Sequence, residues 1–397
     1  MNRYSLASRT WDDDELSAIQ EVVESDMFTM GEQVAQYEAD FARMFGAKYA
    51  VMVNSGSTAN LLMIAALFFT KSPLLKRGDE VIVPAVSWST TYFPLQQYGL
   101  KVKFVDIDRD TLNIDINQLK SAITDDTRAI LLVNLLGNPN DFDAIQKVIS
   151  GKDIIILEDN CESMGALFND KQAGTFGLMG TFSSFFSHHI ATMEGGCLVT
   201  DNEEIYHILL CIRAHGWTRN LPKFNMVTGE KSDSHFDEAF KFVLPGYNVR
   251  PLEMSGAIGI QQLKKLPSFI TQRRENAKLF QDLFHDHSSI LIQQEVGQSS
   301  WFGFSMVIKE GAGFSRAELV SALENNGIEC RPIVTGNFLK NTEALSYFDY
   351  EVSGEMTNVE YIDANGLFVG NQQIDLRCQI EHLYQVISDL ELSSRPK

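Results

Sequence analysis

A chain of 397 residues is too long for one ordinary core, so a large domain and a smaller one are expected. With 33 Lys and Arg against 52 Asp and Glu, the formal charge is −19, which speaks against nucleic acid or anionic membranes as partners and requires any phosphate-bearing ligand to be held by a local basic cluster. The longest apolar run, residues 61–69, is far shorter than the ~20 residues that cross a bilayer, and the N-terminus lacks the charged-then-apolar pattern of a signal, so a cytoplasmic protein is expected.

The stretch TWDDDELSAIQEVVES (10–25) predicts a capped amphipathic helix, and residues 27–46 a turn followed by a second helix. Seven short apolar runs then alternate with helical stretches, at 49–53, 79–85, 101–107, 129–135, 153–159, 180–185 and 196–201. They are apolar throughout and rich in β-branched residues, as strands buried on both faces of a mostly parallel sheet are. The alternation predicts a doubly wound α/β domain over residues 1–265. After about residue 265 the pattern changes. A helix (273–284), a strand (301–308), a helix with a Ser-to-Glu capping box and terminal Gly (315–327) and a last helix (379–390) predict a smaller α+β domain over 266–397.

Three motifs sit where α/β sheets hold ligands. NSGSTANL (54–61) is a strand end, a small-residue turn and a helix start, which aims free N–H groups at an anion; it equally suits an ordinary capped helix. LEDNCES (157–163) ends a buried strand on an acidic pair, either ligand-binding or a helix cap. VPAVSWSTT (83–91) sets Trp88 just past a strand, where an indole can cover a flat ring or fill a core. The five cysteines, at 161, 197, 211, 330 and 378, form no CxxC or other ligand-like pair, so no metal or iron–sulfur centre is expected.

In this order, and followed by Ser183, SHHIATMEGG (187–196) and GYNVRPLEMSGAIGIQQL (246–263), these motifs make the chain resemble the pyridoxal-phosphate sugar aminotransferases of the DegT/DnrJ/EryC1/StrS family. The resemblance implies the fold-type I architecture, with pyridoxal 5'-phosphate or pyridoxamine 5'-phosphate as cofactor. It places Gly56 and Ser57 on the cofactor phosphate, with Ser183 assisting. Trp88 would stack on the pyridine ring and Asp159 would pair with the ring nitrogen. Glu162 stands at the phenolic oxygen, where the family usually has Gln or His. Asn248 would reach the phosphate of a neighbouring subunit, because the family's sites are shared across a homodimer.

One position departs from the pattern. Counting back from Glu194-Gly195-Gly196, the family's Schiff-base lysine falls on His188. Imidazole forms no imine, so the cofactor must be held noncovalently, and an unperturbed histidine takes and returns protons near neutrality. This substitution, with MFTMGE (27–32), SWSTTY (87–92), CIRAHGWTRNLP (211–222) and GIECRPIVTGNFLKN (327–341), resembles the branch of the family that removes a 3-hydroxyl without an iron–sulfur reductase. That branch implies a GDP-linked 4-keto-6-deoxy sugar as substrate, L-glutamate as amino donor, and a place in colitose synthesis for lipopolysaccharide O-antigens. By the same resemblance His215, Arg219, Arg250 and Arg331 contact the nucleotide sugar or glutamate, and Met27, Phe28 and Thr29 frame the substrate. An aminotransferase of unusual mechanism and a catalytically inactive cofactor-binding protein are the alternatives.

Overall fold

The structure, a computed structural model, describes residues 3–394, so the outer limits 1 and 397 of the two expected domains lie outside the described residues. Its strands in chain order are β1 (Tyr49–Val53), β2 (Glu80–Pro84), β3 (Lys101–Val105), β4 (Thr127–Val133), β5 (Ile155–Asp159), the short pair β6 (Leu167–Phe168) and β7 (Lys171–Gln172), β8 (Met179–Ser183), β9 (Gly196–Thr200), the pair β10 (Phe224–Asn225) and β11 (Gly229–Glu230), β12 (Ile290–Ile292), β13 (Gly303–Ile308), β14 (Cys330–Arg331), β15 (Tyr350–Val352) and β16 (Gly366–Gly370).

The central sheet has eight strands in the order β1-β9-β8-β5-β4-β2-β3-β15. Only β9 runs against the others, pairing antiparallel with β1 and β8. Seven of these strands are the seven apolar runs of the sequence. The eighth, β15, corrects the expected count: it comes from the C-terminal part and joins the edge parallel to β3. Its three residues are exposed and carry no apolar run to announce it. Charge helps hold it there, since Glu351 on β15 pairs with Lys101 (2.7 Å) and Lys103 (3.5 Å) of β3, and the buried Glu80 of β2 pairs with Lys103 at 2.8 Å.

Helices cover both faces of the sheet. The helix Asp13–Ser25 starts at an Asp12–Glu15 capping box, and Arg316–Asn325 at the expected Ser315–Glu318 box. A four-stranded antiparallel sheet, β12-β13-β16-β14, forms a second core with the helices Arg316–Asn325 and Arg377–Ser394. The helix Glu253–Phe284 joins the two parts and runs unbroken through residue 265 with Pro267 inside it. Near its start Gly256 and Gly259 let the helix Glu32–Phe45 approach; a Cβ on either would lie within 2.6 Å of Val34 N or Tyr37. Among the described residues no helix is long and apolar enough to cross a membrane.

Candidate active site

The parallel strands β1, β2, β4, β5 and β8 end on one edge of the sheet, and β9 starts there. In such sheets this edge is where ligands sit. A cleft of about 350 Å³ opens on it, lined by Ser55–Ser57, Asn60, Ser87, Trp88, Thr90, Val133, Leu135, Asp159, Cys161, Glu162, Ser183, Phe185, Ser187, His188 and Glu194, with Val334 reaching in from the C-terminal part. Thr335 ties that part to the cleft rim, donating to the Ser87 carbonyl at 2.6 Å.

One end of the cleft is built for an anion. Ser55 caps the helix Gly56–Phe68, its Oγ accepting from the Thr58 N–H at 3.1 Å, and the helix N-terminus faces the cleft. A Cβ at Gly56 would lie 2.7 Å from Ser183 Cβ and 3.0 Å from Cys161 Sγ, so only glycine permits this approach. Ser57 Oγ lies 2.9 Å from Thr90 Oγ1.

The middle of the cleft is a fixed carboxylate. Asp159 Oδ2 accepts from Asn60 Nδ2 and Thr91 Oγ1, both at 2.7 Å, and Oδ1 accepts from the Cys161 N–H at 3.1 Å. Asn60 is itself held by Thr181, whose Oγ1 donates to its amide oxygen at 2.6 Å. Neither Asn60 nor Thr91 was singled out in the sequence. Asn60 could have been, because it lies one helical turn beyond Gly56 and shares its face. Across the cleft Glu162 Oε2 accepts from the Leu136 N–H at 3.0 Å. Burial, opposed by that bond and reinforced by Asp159, pushes the Glu162 carboxyl up to about 7. The Trp88 indole, at the cap of the helix Ser89–Gln97, is 58% exposed and lines the opening.

His188 sits on the loop between β8 and β9. That loop is clasped at its neck, where Ser184 N–H donates to Gly195 O at 2.9 Å and Ser184 Oγ meets Thr192 Oγ1 at 2.6 Å. It is clamped at Ala191, whose N–H donates to Gln262 at 3.0 Å and whose carbonyl accepts from the Trp11 indole at 2.7 Å. The imidazole is half-buried in the cleft wall, edge-on to Phe185 (6.1 Å) and Phe302 (5.2 Å), and its Nδ1 has no hydrogen-bond partner. Burial first, and the Arg273 charge second, outweigh the lift from the Phe185 backbone and push it down to about 4. The ring is therefore neutral at pH 7, more firmly so than an unperturbed histidine. Among the described residues no lysine lines the cleft; Lys171 lies on β7, with its ammonium over the Phe176 ring. His189 is fully buried, its Nε2 3.2 Å from the Ser300 carbonyl.

Gly56, Ser57, Trp88, Asp159, Glu162, Ser183 and His188 thus meet in one cleft. The other residues singled out do not line it. Met27, Phe28 and Thr29 run beside Leu252 and Glu253, with Thr29 bridged to Leu252. Asn248 Oδ1 accepts from Arg250 Nε at 2.9 Å, and Asn248 is bridged to Ala214. The guanidinium groups of Arg219 and Arg250 lie over the Trp217 ring at 4.2 and 5.5 Å, and His215 is edge-on to the same ring. These make a second patch outside the cleft, its two groups joined through the chain between Asn248 and Glu253. Arg331 stands apart on β14, exposed and bonded to the Cys330 carbonyl.

The chain is similar to known proteins over nearly its full length. The chain is 72% identical, over 98% of its own length and 98% of the relative's, to the GDP-4-keto-6-deoxy-D-mannose 3-dehydratase of Yersinia pseudotuberculosis. The solved Escherichia coli GDP-4-keto-6-deoxy-D-mannose-3-dehydratase with bound hydrated PLP superposes with a TM-score of 0.97 at 72% identity, covering 98% of this chain and all of that one. A GDP-4-keto-6-deoxymannose-3-dehydratase structure with a trapped PLP-glutamate geminal diamine gives 0.96 at the same identity, over 97% of this chain and all of that one. The model of the DegT/DnrJ/EryC1/StrS aminotransferase family matches residues 9–365, and the chain belongs to that family.

Proposed function

We propose that this chain removes the C3 hydroxyl of GDP-4-keto-6-deoxy-D-mannose to give GDP-4-keto-3,6-dideoxy-D-mannose, using pyridoxal or pyridoxamine phosphate and L-glutamate. The observation that carries the reading is His188, a neutral imidazole in the position of the family's lysine, inside a cleft whose other parts suit the cofactor. The glycine-only approach at Gly56, the carboxylate braced by Asn60 and Thr91 and the open indole of Trp88 match a phosphate, a pyridinium nitrogen and a flat ring in turn. Gly56, Ser57 and Ser183 would hold the phosphate, Asp159 the ring nitrogen, Trp88 the ring face and Glu162 the phenolic oxygen. When bound, the cofactor supplies an amine for the sugar's keto group and a ring that accepts electrons.

The chain's own residues then decide the outcome. His188 starts uncharged and so acts first as a base. Once it holds a proton its imidazolium is a strong acid, able to deliver that proton to the departing 3-hydroxyl. A lysine here would also recapture the cofactor covalently; the imidazole has no such bond to make, so nothing on the protein competes with loss of the hydroxyl. Glu162, its carboxyl pushed up to about 7, can share a proton with the phenolic oxygen.

The second patch supports a shared site. We assign Met27, Phe28, Thr29, His215, Arg219, Asn248 and Arg250 to the cleft of a partner subunit in a homodimer, where Asn248 would meet the cofactor phosphate and the basic groups the nucleotide sugar. Arg331 would meet the sugar or the glutamate carboxylate, its fork suiting either. The relative holding a PLP-glutamate adduct supports glutamate as amino donor. Cytoplasmic synthesis of a colitose precursor, with no iron–sulfur reductase, completes the reading.

Mass spectrometry of the nucleotide sugar, after incubation with enzyme, pyridoxal phosphate and L-glutamate, tests it. A product lacking one oxygen, with 2-oxoglutarate and ammonia accumulating, is expected. A product with the ketone replaced by an amine would make the enzyme an aminotransferase, and untouched substrate would make it neither.

A further inference from the structure

Behind the wall of the cleft lies a cation that the proposed chemistry has not used. Arg273, on the helix Glu253–Phe284, is 3% exposed. Its Nη1 donates to three backbone carbonyls, of Trp301 (3.4 Å), Phe302 (3.1 Å) and Asn371 (2.5 Å), while its buried Nε has no partner. Among the described residues no carboxylate pairs with it. A buried charge without a counterion is costly, and a neutral amide would serve three carbonyls as well. The segment it grips is the one that touches both histidines. Phe302 places its ring against His188 at 5.2 Å and His189 at 5.8 Å, and Ser300 accepts from or faces His189 Nε2.

Resting on the reading of His188 as the acid and base, we propose that Arg273 is a positioning residue that acts on His188 by charge, its unpaired guanidinium behind Phe302 barring the imidazolium until the reaction supplies the proton. The arrangement is the reverse of the usual one, in which a carboxylate behind a catalytic histidine favours the charged ring. Here Nδ1 of His188 meets no carboxylate, the flanking groups are two aromatic edges, and the charge behind them is positive. Such a ring stays neutral as a base, and once protonated it gives the proton up readily, as a poor leaving group such as hydroxide requires. The titratable and charged groups around it are His189 and Glu194 on its own loop, Asp159 at the end of β5 with Cys161 and Glu162 just after it, and Arg273 and Arg274 on the helix. Only the two arginines carry positive charge, and Arg274 is turned to the carbonyls of Gly165, Gln298 and Ser299.

The test reads the ring itself and needs no turnover, so it is independent of whether the proposed reaction is right. In full-length protein with 15N-labelled histidine, the His188 signal, assigned by its loss in His188→Asn, is followed from about pH 8 down to about pH 5.5, above the isoelectric point of 4.8. Arg273→Gln keeps a donor for the carbonyls and Arg273→Met does not; both remove the charge. Both should raise the protonated fraction of His188 at pH 5.5, read from its population-averaged shift, about threefold or more, the effect of half a pH unit in its midpoint. A folded Arg273→Gln whose His188 titrates as in the parent would overturn the proposal and leave Arg273 a structural brace. Either variant that folds decides alone, because burial by itself would also keep the parent ring neutral at pH 5.5.

Discussion

His188 differs from the family's lysine in two ways that act together: it cannot hold the cofactor covalently, and it is neutral at rest. Replacing it by asparagine removes the proton carrier while leaving the braced carboxylate and the helix N-terminus untouched. Turnover of the keto sugar should fall by ~10²–10⁴-fold, with cofactor absorbance on the protein retained; loss of cofactor binding instead would mean that the imidazole is structural. Replacing it by lysine restores the covalent tie and should divert product from deoxy sugar toward amino sugar, read by mass. Glu162 carries a different signature. Its folded carboxyl is raised to about 7 from an ordinary value near 4.5, so the folded chain holds a proton that the unfolded chain releases. The stability this contributes is complete below about 4.5 and is lost as pH rises through about 7. Glu162→Gln removes the titration, so the cofactor-free variant should lose less melting temperature than the parent between pH 5 and 8. Equal slopes in the two proteins would show that Glu162 is not buried as a neutral acid. The identity of these two residues was legible in the sequence, because each stands at a fixed count from a motif. Their protonation was not, since it depends on Leu136, Phe302 and Arg273, which are remote in sequence and supplied by tertiary packing.

At the scale of elements, the chain spells out what repeats and hides what is singular. The seven apolar runs were readable as strands because a sheet covered on both faces leaves no polar positions in them. β15 was not, because three exposed residues at an edge need only pairing and two lysines. The helix Glu253–Phe284 was legible only from residue 273 onward: glycines at 256 and 259, there to admit the helix Glu32–Phe45, and Pro267 all weaken the helical pattern. The expected division at 265/266 falls inside it. Cleft geometry depends most on the first turn of the helix Gly56–Phe68. Gly56→Ala forces its new Cβ against Ser183, at the end of β8, and Cys161, in the turn after β5. Overpacking of this kind costs ~1–3 kcal/mol, and displacement of the turn should weaken pyridoxal phosphate binding at least tenfold, measured by melting temperature and by fluorescence titration. A variant that melts lower but binds the cofactor as tightly as the parent would mean that the phosphate is held elsewhere.

At the scale of the molecule, a chain of charge −19 leaves a band of large apolar side chains in the open. Met27, Phe28, Leu252 and Phe242 are half exposed or a little more, and Phe240 more so; Phe240 lies under the Arg219 guanidinium and Phe242 is bridged to Trp217, beside the patch of Asn248, Arg250, His215 and Arg219. Apolar surface of that extent asks for a cover, and in the proposed homodimer a two-fold partner would bring the same patch to the opposite cleft. Apart from Asn248, which the resemblance set on a neighbouring subunit, the cleft residues and the patch residues look alike in the sequence; the structure separates them into two groups. Complementation tests the division. Take His188→Asn in one subunit and Arg250→Ala in the other, each nearly inactive as a pure protein. In a mixed dimer one cleft receives both defects and the other receives neither. With equal amounts and random pairing, half the dimers are mixed and each has one intact site of two, so activity should return to roughly a quarter of the parent value. Cleft residues paired among themselves, such as His188→Asn with Asp159→Asn, should show no recovery, because every cleft then carries a defect. If the His188–Arg250 mixture also stays dead while sedimentation shows mixed dimers, the patch serves its own chain and the site is not shared.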